Sequence, residues 1–209
     1  MNQNLQAVCE KLCERGFLAE VVPTPEDARN RILDLIGDRS VGIAGSATVR
    51  DLGLYEALTA RGNTVYWHWK VEKPQVEATR IAAIGADVYL CSTNAVTEDG
   101  RLVNIDGTGN RLAGMIYGPK TVILTVGRNK LVKDFDEAIA RIKRDACGPN
   151  ARRQNFKTPC SIDNVCRDCR PPVRMCNVTA ITEYPSRRHE AYRIILPRAP
   201  LFSEAGRCL

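Results

Sequence analysis

The feature that most constrains the fold is a repeated alternation of short apolar segments with longer helical patterns. Four segments are short and rich in apolar or β-branched residues: 40–44, 64–67, 87–91 and 121–126. Apolar residues recur at helical spacing between and after them, in residues 49–60, 74–84, 110–117 and 135–143. Apolar strands that alternate with helices are typical of a sheet buried on both faces. The sequence therefore predicts an α/β fold with a Rossmann-like, mostly parallel sheet.

Further elements are predicted at both ends of this pattern. A first helix is indicated by apolar residues at helical spacing, at Leu5, Val8, Cys9 and Leu12. A second helix is indicated in residues 24–36, which begin with Thr-Pro and two acidic residues. The strand-like segments 178–184 and 192–196 are predicted to return the chain to the sheet.

Composition and charge narrow the class of protein. The chain has 209 residues, of which 44% are hydrophobic and 26% charged, and these proportions are ordinary for a globular protein. Its start lacks a signal-peptide core, and no segment approaches the roughly 20 apolar residues of a membrane helix, so we expect a cytoplasmic protein without a membrane span. The net charge of +6 arises largely in the last third, which suits an anionic ligand, an acidic partner or nucleic acid.

Three loops are predicted to meet at one edge of the sheet, because each follows a strand and the carboxyl ends of parallel strands share an edge. They are residues 42–48, 92–111 and 126–130. The first lacks the lysine of a P-loop and the third glycine of a dinucleotide fingerprint. The residues predicted to bind a ligand are Gly45, Ser46, Thr48, Asn94, Asn104, Gly107, Gly109, Asn110, Arg111, Asn129 and Lys130.

Two carboxylates in the second loop are predicted to act in chemistry. Glu98 is the candidate acid or base and Asp106 a second candidate, since a carboxylate near a closed pocket has a tunable proton affinity. Plainer interpretations remain open. Ser46 or Thr48 caps a helix, residues 98–104 form a hairpin turn, and residues 127–130 form a solvated turn.

A group of cysteines in the tail predicts a metal site. Four of the nine cysteines, with the spacing C-x5-C-x2-C-x6-C, are Cys160, Cys166, Cys169 and Cys176. Thiolates in such a group bind either zinc or an iron–sulfur cluster, whereas disulfides are disfavoured in a reducing compartment. Cys9, Cys13 and Cys91 are interpreted as packing residues, with a reactive thiol as the alternative at Cys91. Cys147 and Cys208 are assigned no role.

Two blocks carry a resemblance to a known family. Residues 92–111, with their Asn-Ile-Asp-Gly-Thr-Gly-Asn-Arg core, and residues 117–130 closely resemble the LUD-domain family, lactate-utilisation proteins of the LutC/YkgG type. The resemblance covers about residues 40–146. It implies a fold like that of the NagB/RpiA and CoA-transferase superfamily, and a part in oxidising L-lactate to pyruvate with iron–sulfur partner proteins. It implies no established catalytic residues.

These observations predict three parts: an α/β LUD core in residues 1–147, a cysteine-rich segment in residues 148–177 and returning strands in residues 178–209. The electron-handling partners of the family favour an iron–sulfur cluster, of the 4Fe-4S type, over zinc. The expected ligand is a small anionic metabolite. The alternative is a non-catalytic scaffold with structural zinc. Nucleic-acid binding is the weakest reading, because the tail has few aromatic residues to stack on bases, and a homo-oligomer is compatible with the sequence.

Overall fold

The structure is a computed structural model that describes residues 4–201. In chain order its strands are β1 (Leu18–Val22), β2 (Val41–Ile43), β3 (Val65–Trp67), β4 (Val88–Cys91), β5 (Ala95–Thr97), β6 (Leu102–Asp106), β7 (Thr121–Thr125), β8 (Leu131–Val132), β9 (Val178–Thr182) and β10 (Ala191–Pro197). Its α-helices are α1 (Leu5–Glu14), α2 (Pro25–Ile36), α3 (Ala47–Asp51), α4 (Leu54–Ala60), α5 (Val76–Ile84), α6 (Asn110–Ile116), α7 (Phe135–Arg141), α8 (Gly148–Arg153) and α9 (Cys160–Asp163).

Within these residues the strands form two sheets. The larger has six parallel strands in the order β1-β10-β7-β4-β2-β3. The smaller has the order β8-β5-β6-β9, in which β6 is antiparallel to both of its neighbours. The predicted α/β fold with a mostly parallel sheet is confirmed. The predicted hairpin is the β5–β6 pair of the smaller sheet.

The large sheet is buried on both faces, which explains why its central strands are continuously apolar. One apolar cluster lies on the α1 side and includes Leu12, Tyr89 and Tyr192. A second lies on the α2 and α4 side and includes Ile32 and Trp67. A third and smaller cluster lies between the small sheet and the segment after α7.

Several helices and strands differ from those predicted from the sequence. Strand β1 was not predicted, because its residues are mostly half-exposed and include a charged glutamate. The predicted helix 49–60 is interrupted at Gly53, whose φ of +61° ends α3 and begins α4. Helix α7 ends at Arg141 and continues as a π-helix, Ile142–Cys147. Strand β9 joins the small sheet rather than the large one, and only β10 returns to the large sheet.

No helix in residues 4–201 is long and apolar enough to cross a membrane. Cys208 and the end of the predicted third part lie outside the described residues. The division of the chain into three parts stays a prediction.

Candidate functional site

A cleft of about 550 Å³ opens at the carboxyl ends of the parallel strands. Cavities of this size take small organic ligands. The loops that follow β2, β4 and β7 line it, together with the loop that follows β6. The predicted ligand-site residues in its lining are Gly45, Ser46, Thr48, Asn94, Asp106, Asn110, Arg111, Asn129 and Lys130.

Lys130 links two of these loops. Its Nζ donates hydrogen bonds to Ser92 Oγ at 2.6 Å and to Thr48 Oγ1 at 2.9 Å. Both hydroxyl-bearing residues are buried, and Ser92 Oγ in turn donates to the Thr125 carbonyl at 2.6 Å. These hydrogen bonds fix the ammonium group beside the cleft, where a positive charge suits an anionic ligand.

Asn94 and Asn104 form the base of the second loop. The backbone N–H of Asn94 donates to Asn104 Oδ1, and the backbone N–H of Ile105 donates to Asn94 Oδ1, each at 3.0 Å. Asn104 is completely buried and does not line the cleft. Its role in the structure is to hold Asn94 in place.

Asp106 and Arg111 form a half-buried ion pair at 3.4 Å. Arg111 also donates to Asn94 Oδ1 at 3.1 Å and to the Ile105 carbonyl at 2.6 Å, and Asp106 Oδ1 accepts from the Gly107 backbone N–H at 2.7 Å. The pair thus fixes the guanidinium at the cleft wall while the aspartate offsets part of its charge.

Arg141 is not predicted from the sequence as a site residue. In the structure it joins two of the predicted loops. It donates to the Asn129 carbonyl at 2.8 Å and to the Asn94 carbonyl at 2.7 Å. The residue is only 6% exposed although it lies on an amphipathic helix. From the sequence, an arginine at the end of a helical pattern is expected to face solvent. Nothing in the sequence therefore distinguishes Arg141 from the neighbouring polar residues.

A second group of unpredicted residues lies in the more exposed part of the cleft. We call Arg50 of α3, Arg80 of α5 and Arg153 of α8 the rim arginine cluster. The Arg153 guanidinium lies over the Trp69 ring, 4.1 Å from its centroid. The ring packs in turn against Gly45, where a Cβ atom would lie 3.3 Å from it. The glycine at this strand end therefore accommodates the indole.

His68 lies next to Trp69 in the same part of the cleft. Burial, and to a smaller extent the charges of Arg80 and Arg153, lower the pKa of His68 to about 4. The imidazole is therefore neutral at pH 7. It adds no positive charge to the cleft under these conditions.

The structure does not bring three other predicted residues to the cleft. Glu98 is exposed at the start of the β5–β6 turn and lies outside the lining, so its position does not support the predicted acid or base role. Gly107 leaves room for the cysteine-rich segment, because a Cβ atom there would lie 2.7 Å from the Met175 carbonyl oxygen. Gly109 has a φ of +92° and precedes α6.

The four cysteines of the predicted metal site differ in exposure. Cys160 is buried, Cys166 is exposed, and Cys169 and Cys176 are half-buried. In residues 4–201, no three side chains of His, Cys, Asp or Glu gather closely enough to hold a metal ion. The described residues therefore contain no formed metal site, and the four-cysteine site stays a prediction.

One sulfur contact involves a cysteine that the sequence analysis left without a role. Cys147 Sγ lies 3.4 Å from Cys176 Sγ, and both residues line the cleft. Both also pack with Cys160 against the third apolar cluster. The cysteine-rich segment therefore forms part of the cleft wall. Cys91, by contrast, is fully buried outside the lining, and burial raises its pKa to about 11, which favours packing over a reactive thiol.

The fold and the cleft together define a class of protein: a parallel α/β protein with a positively charged cleft at the strand ends. The LUD domain model matches residues 5–196, and the chain belongs to the LUD domain family. The chain is also similar to the crystal structure of a DUF162 family protein from Deinococcus radiodurans. The TM-score is 0.54 at 13% identity, over 92% of this chain and 94% of that one, which supports the shared fold alone. No curated protein matches the sequence.

Proposed function

We propose that the protein is a lactate-utilisation component that takes part in oxidising L-lactate to pyruvate and binds a small anionic ligand in the strand-end cleft. Family membership supports the metabolic assignment, since the LUD domain is associated with lactate utilisation. The observation that carries the ligand proposal is the charge of the cleft. Among the described residues its lining contains two aspartates, Asp106 and Asp145, and seven basic side chains: Arg50, Arg80, Arg111, Lys130, Arg141, Arg152 and Arg153.

Lys130 and Arg111 are the groups proposed to bind a carboxylate. Arg111 offers a planar fork of N–H donors and Lys130 a compact charge, and carboxylates pair with both. Asp106 is proposed to position Arg111 through their ion pair rather than to exchange a proton itself. The polar groups nearby, Asn94 and Asn129, are proposed to orient the rest of the ligand.

The test is the binding of L-lactate and pyruvate to K130A, measured by isothermal titration calorimetry. We expect the wild type to bind one of them and K130A to lose at least about tenfold in affinity, because a charged hydrogen bond contributes roughly 1.5–3 kcal/mol. K133A is the matched control, since Lys133 is exposed and outside the cleft. Equal binding by the wild type and K130A would remove the cleft from the proposal.

We also propose that the cysteine-rich segment binds an iron–sulfur cluster, of the 4Fe-4S type, through Cys160, Cys166, Cys169 and Cys176, with cytoplasmic iron–sulfur proteins as redox partners. The spacing of the four thiols supports this. Binding requires the four thiols to come closer together than in the arrangement described above, although Cys160, Cys166 and Cys176 already lie within electrostatic range of Cys169. Bound there, a cluster supplies one-electron transfer.

Anaerobic purification followed by absorption spectroscopy and by iron, sulfide and zinc analysis tests this part. A broad visible absorption with matching iron and sulfide supports the cluster. Zinc without sulfide supports the alternative function, a non-catalytic scaffold with a structural zinc site. The position of Glu98 outside the cleft lining favours the non-catalytic scaffold. Of the two predicted acids or bases, only Asp106 lines the cleft, and it is paired with Arg111.

A further inference from the structure

The rim arginine cluster brings three guanidinium groups together from distant parts of the chain. Arg50, Arg80 and Arg153 lie on α3, α5 and α8, and all three line the cleft. Asp51 and Glu77 offset part of the repulsion among the three groups, and an anion bound in the cleft would offset more of it, because like charges in a partly buried site repel.

The carboxylates bound to the cluster do not face the cleft. Arg50 pairs with Asp51 at 2.8 Å and Arg80 pairs with Glu77 at 3.4 Å, and neither acid is part of the lining. In addition, Arg80 Nε is buried and has no hydrogen-bond partner among the described residues. A buried donor without an acceptor costs free energy. Because Arg80 lines the cleft, an anion bound there would add acceptor oxygens close to this guanidinium group.

The positive charges in this region also affect one another's pKa values. Partial burial and the charge of Arg50 lower the pKa of Arg153. The charges of Arg80 and Arg153 act in the same way on His68, after burial. These groups therefore lie within electrostatic range of one another, and an anion bound among them would relieve the repulsion.

We infer that the rim arginine cluster binds a phosphate group, so that the cleft ligand carries a phosphate in addition to the group held by Lys130 and Arg111. Three guanidinium groups suit a phosphate better than a carboxylate, because a phosphate offers more acceptor oxygens and up to two negative charges. A cleft of about 550 Å³ also leaves most of its space empty around a three-carbon acid. This inference rests on the proposed function of the cleft and specifies its ligand class as phosphorylated small carboxylic acids.

The test compares three probes by isothermal titration calorimetry: L-lactate, inorganic phosphate and 3-phosphoglycerate, which carries a carboxylate and a phosphate at opposite ends. We expect 3-phosphoglycerate to bind the wild type at least about tenfold more tightly than L-lactate or phosphate alone. R80Q and R153Q are each expected to lose about tenfold in affinity for 3-phosphoglycerate, a larger loss than for L-lactate. R61Q is the matched control, because Arg61 is exposed and outside the cleft.

The outcomes separate this inference from the proposed function. If L-lactate binds and 3-phosphoglycerate binds no more tightly, the phosphate site is overturned while the cleft proposal stands. If neither binds, both are overturned. Tight binding of a single-stranded oligonucleotide without binding of 3-phosphoglycerate would also overturn the inference in favour of a nucleic-acid surface. Circular dichroism of R80Q and R153Q checks that a loss is not one of folding, and R80K, which keeps the charge, should restore part of the affinity.

Discussion

His68 is half-buried beside Trp69 and near two arginines of the rim, and its pKa of about 4 lies below the usual 6.5. The unfolded chain therefore binds a proton that the folded chain does not bind between these two values. Stability from this group is fully present above about pH 6.5 and is lost as the pH falls toward 4. The expected loss is about 2 kcal/mol, given the partial exposure of the ring.

Urea unfolding of the wild type and H68Q at pH 7 and pH 4.5 measures this effect. We expect the free energy of unfolding of H68Q to fall less between the two pH values than that of the wild type. His189 is the comparison, because burial also lowers its pKa, but by less. The same pH dependence in the wild type and H68Q would show that the ring titrates normally in the folded protein.

For individual residues, the sequence predicted the cleft residues that lie in loops better than those that lie on helices. Asn94 and Lys130 lie in the loops after β4 and β7, and the rule that parallel strands end at one edge was enough to bring them to one cleft. Asp106 ends β6 of the small sheet and reaches the same cleft from there. Arg141 and Arg80 lie on amphipathic helices, where a polar position reads as solvent-facing. Only the packing of those helices against the loops turns these two side chains into the cleft.

Among the elements, β2 and α5 approach each other so closely that a single position controls their contact. A Cβ atom at Gly42 would lie 2.0 Å from the carbonyl oxygen of Ala83, and the neighbouring atoms are backbone as well. Backbone atoms cannot rotate away as a side chain can, so the helix must shift to accept a methyl group. That shift would also disturb the loop after β2, which lines the cleft.

We therefore expect G42A to reduce the free energy of unfolding by about 3 kcal/mol, at the upper end of the usual cost of overpacking. Urea unfolding measures it. G85A is a suitable control, since Gly85 has an ordinary negative φ and the nearest atom to its added Cβ is 3.6 Å away. A G42A protein as stable as G85A would mean that β2 and α5 lie farther apart than described.

Helices and strands were predicted from the sequence where one pattern of apolar residues, either a continuous run or helical spacing, dominates the segment. The strands β2, β3, β4 and β7 and the helices after them follow from apolar runs and helical spacing. Strand β1 was not predicted in this way, because it is a half-exposed edge strand and contains both apolar and charged residues. The break at Gly53 and the π-helix before Cys147 depend on how the helices pack, and a helical pattern continues through both in the sequence.

For the molecule as a whole, the contact between Cys147 and Cys176 joins the cysteine-rich segment to the core. The two sulfurs lie 3.4 Å apart although the residues are 29 positions apart in the chain. A small disulfide such as oxidised glutathione should therefore link them: the Cys176 thiolate displaces one glutathione thiolate, and the Cys147 thiolate then displaces the second. Two thiols are oxidised and one disulfide is reduced to two thiols.

The protein is treated with oxidised glutathione in the absence of air. Mass spectrometry of its tryptic peptides then identifies the pair of cysteines that becomes linked. We expect the Cys147–Cys176 peptide to form first, and C147S to abolish it without affecting the reactivity of Cys13, which is exposed on α1. Preferential linkage of Cys166 to Cys169 would mean that the segment does not dock on the core in this way. The sequence could not predict this contact, because Cys147 lies outside the spacing that marked the other four cysteines.

The position of β10 also has a consequence for biosynthesis. In the large sheet β1 pairs only with β10, which is the last strand of the described residues and lies between β1 and β7. As the polypeptide leaves the ribosome, β7, β4, β2 and β3 have their partners available early, whereas β1 must wait until β10 has been translated. During that interval the edge of β7 is uncovered and open to pairing with another nascent chain.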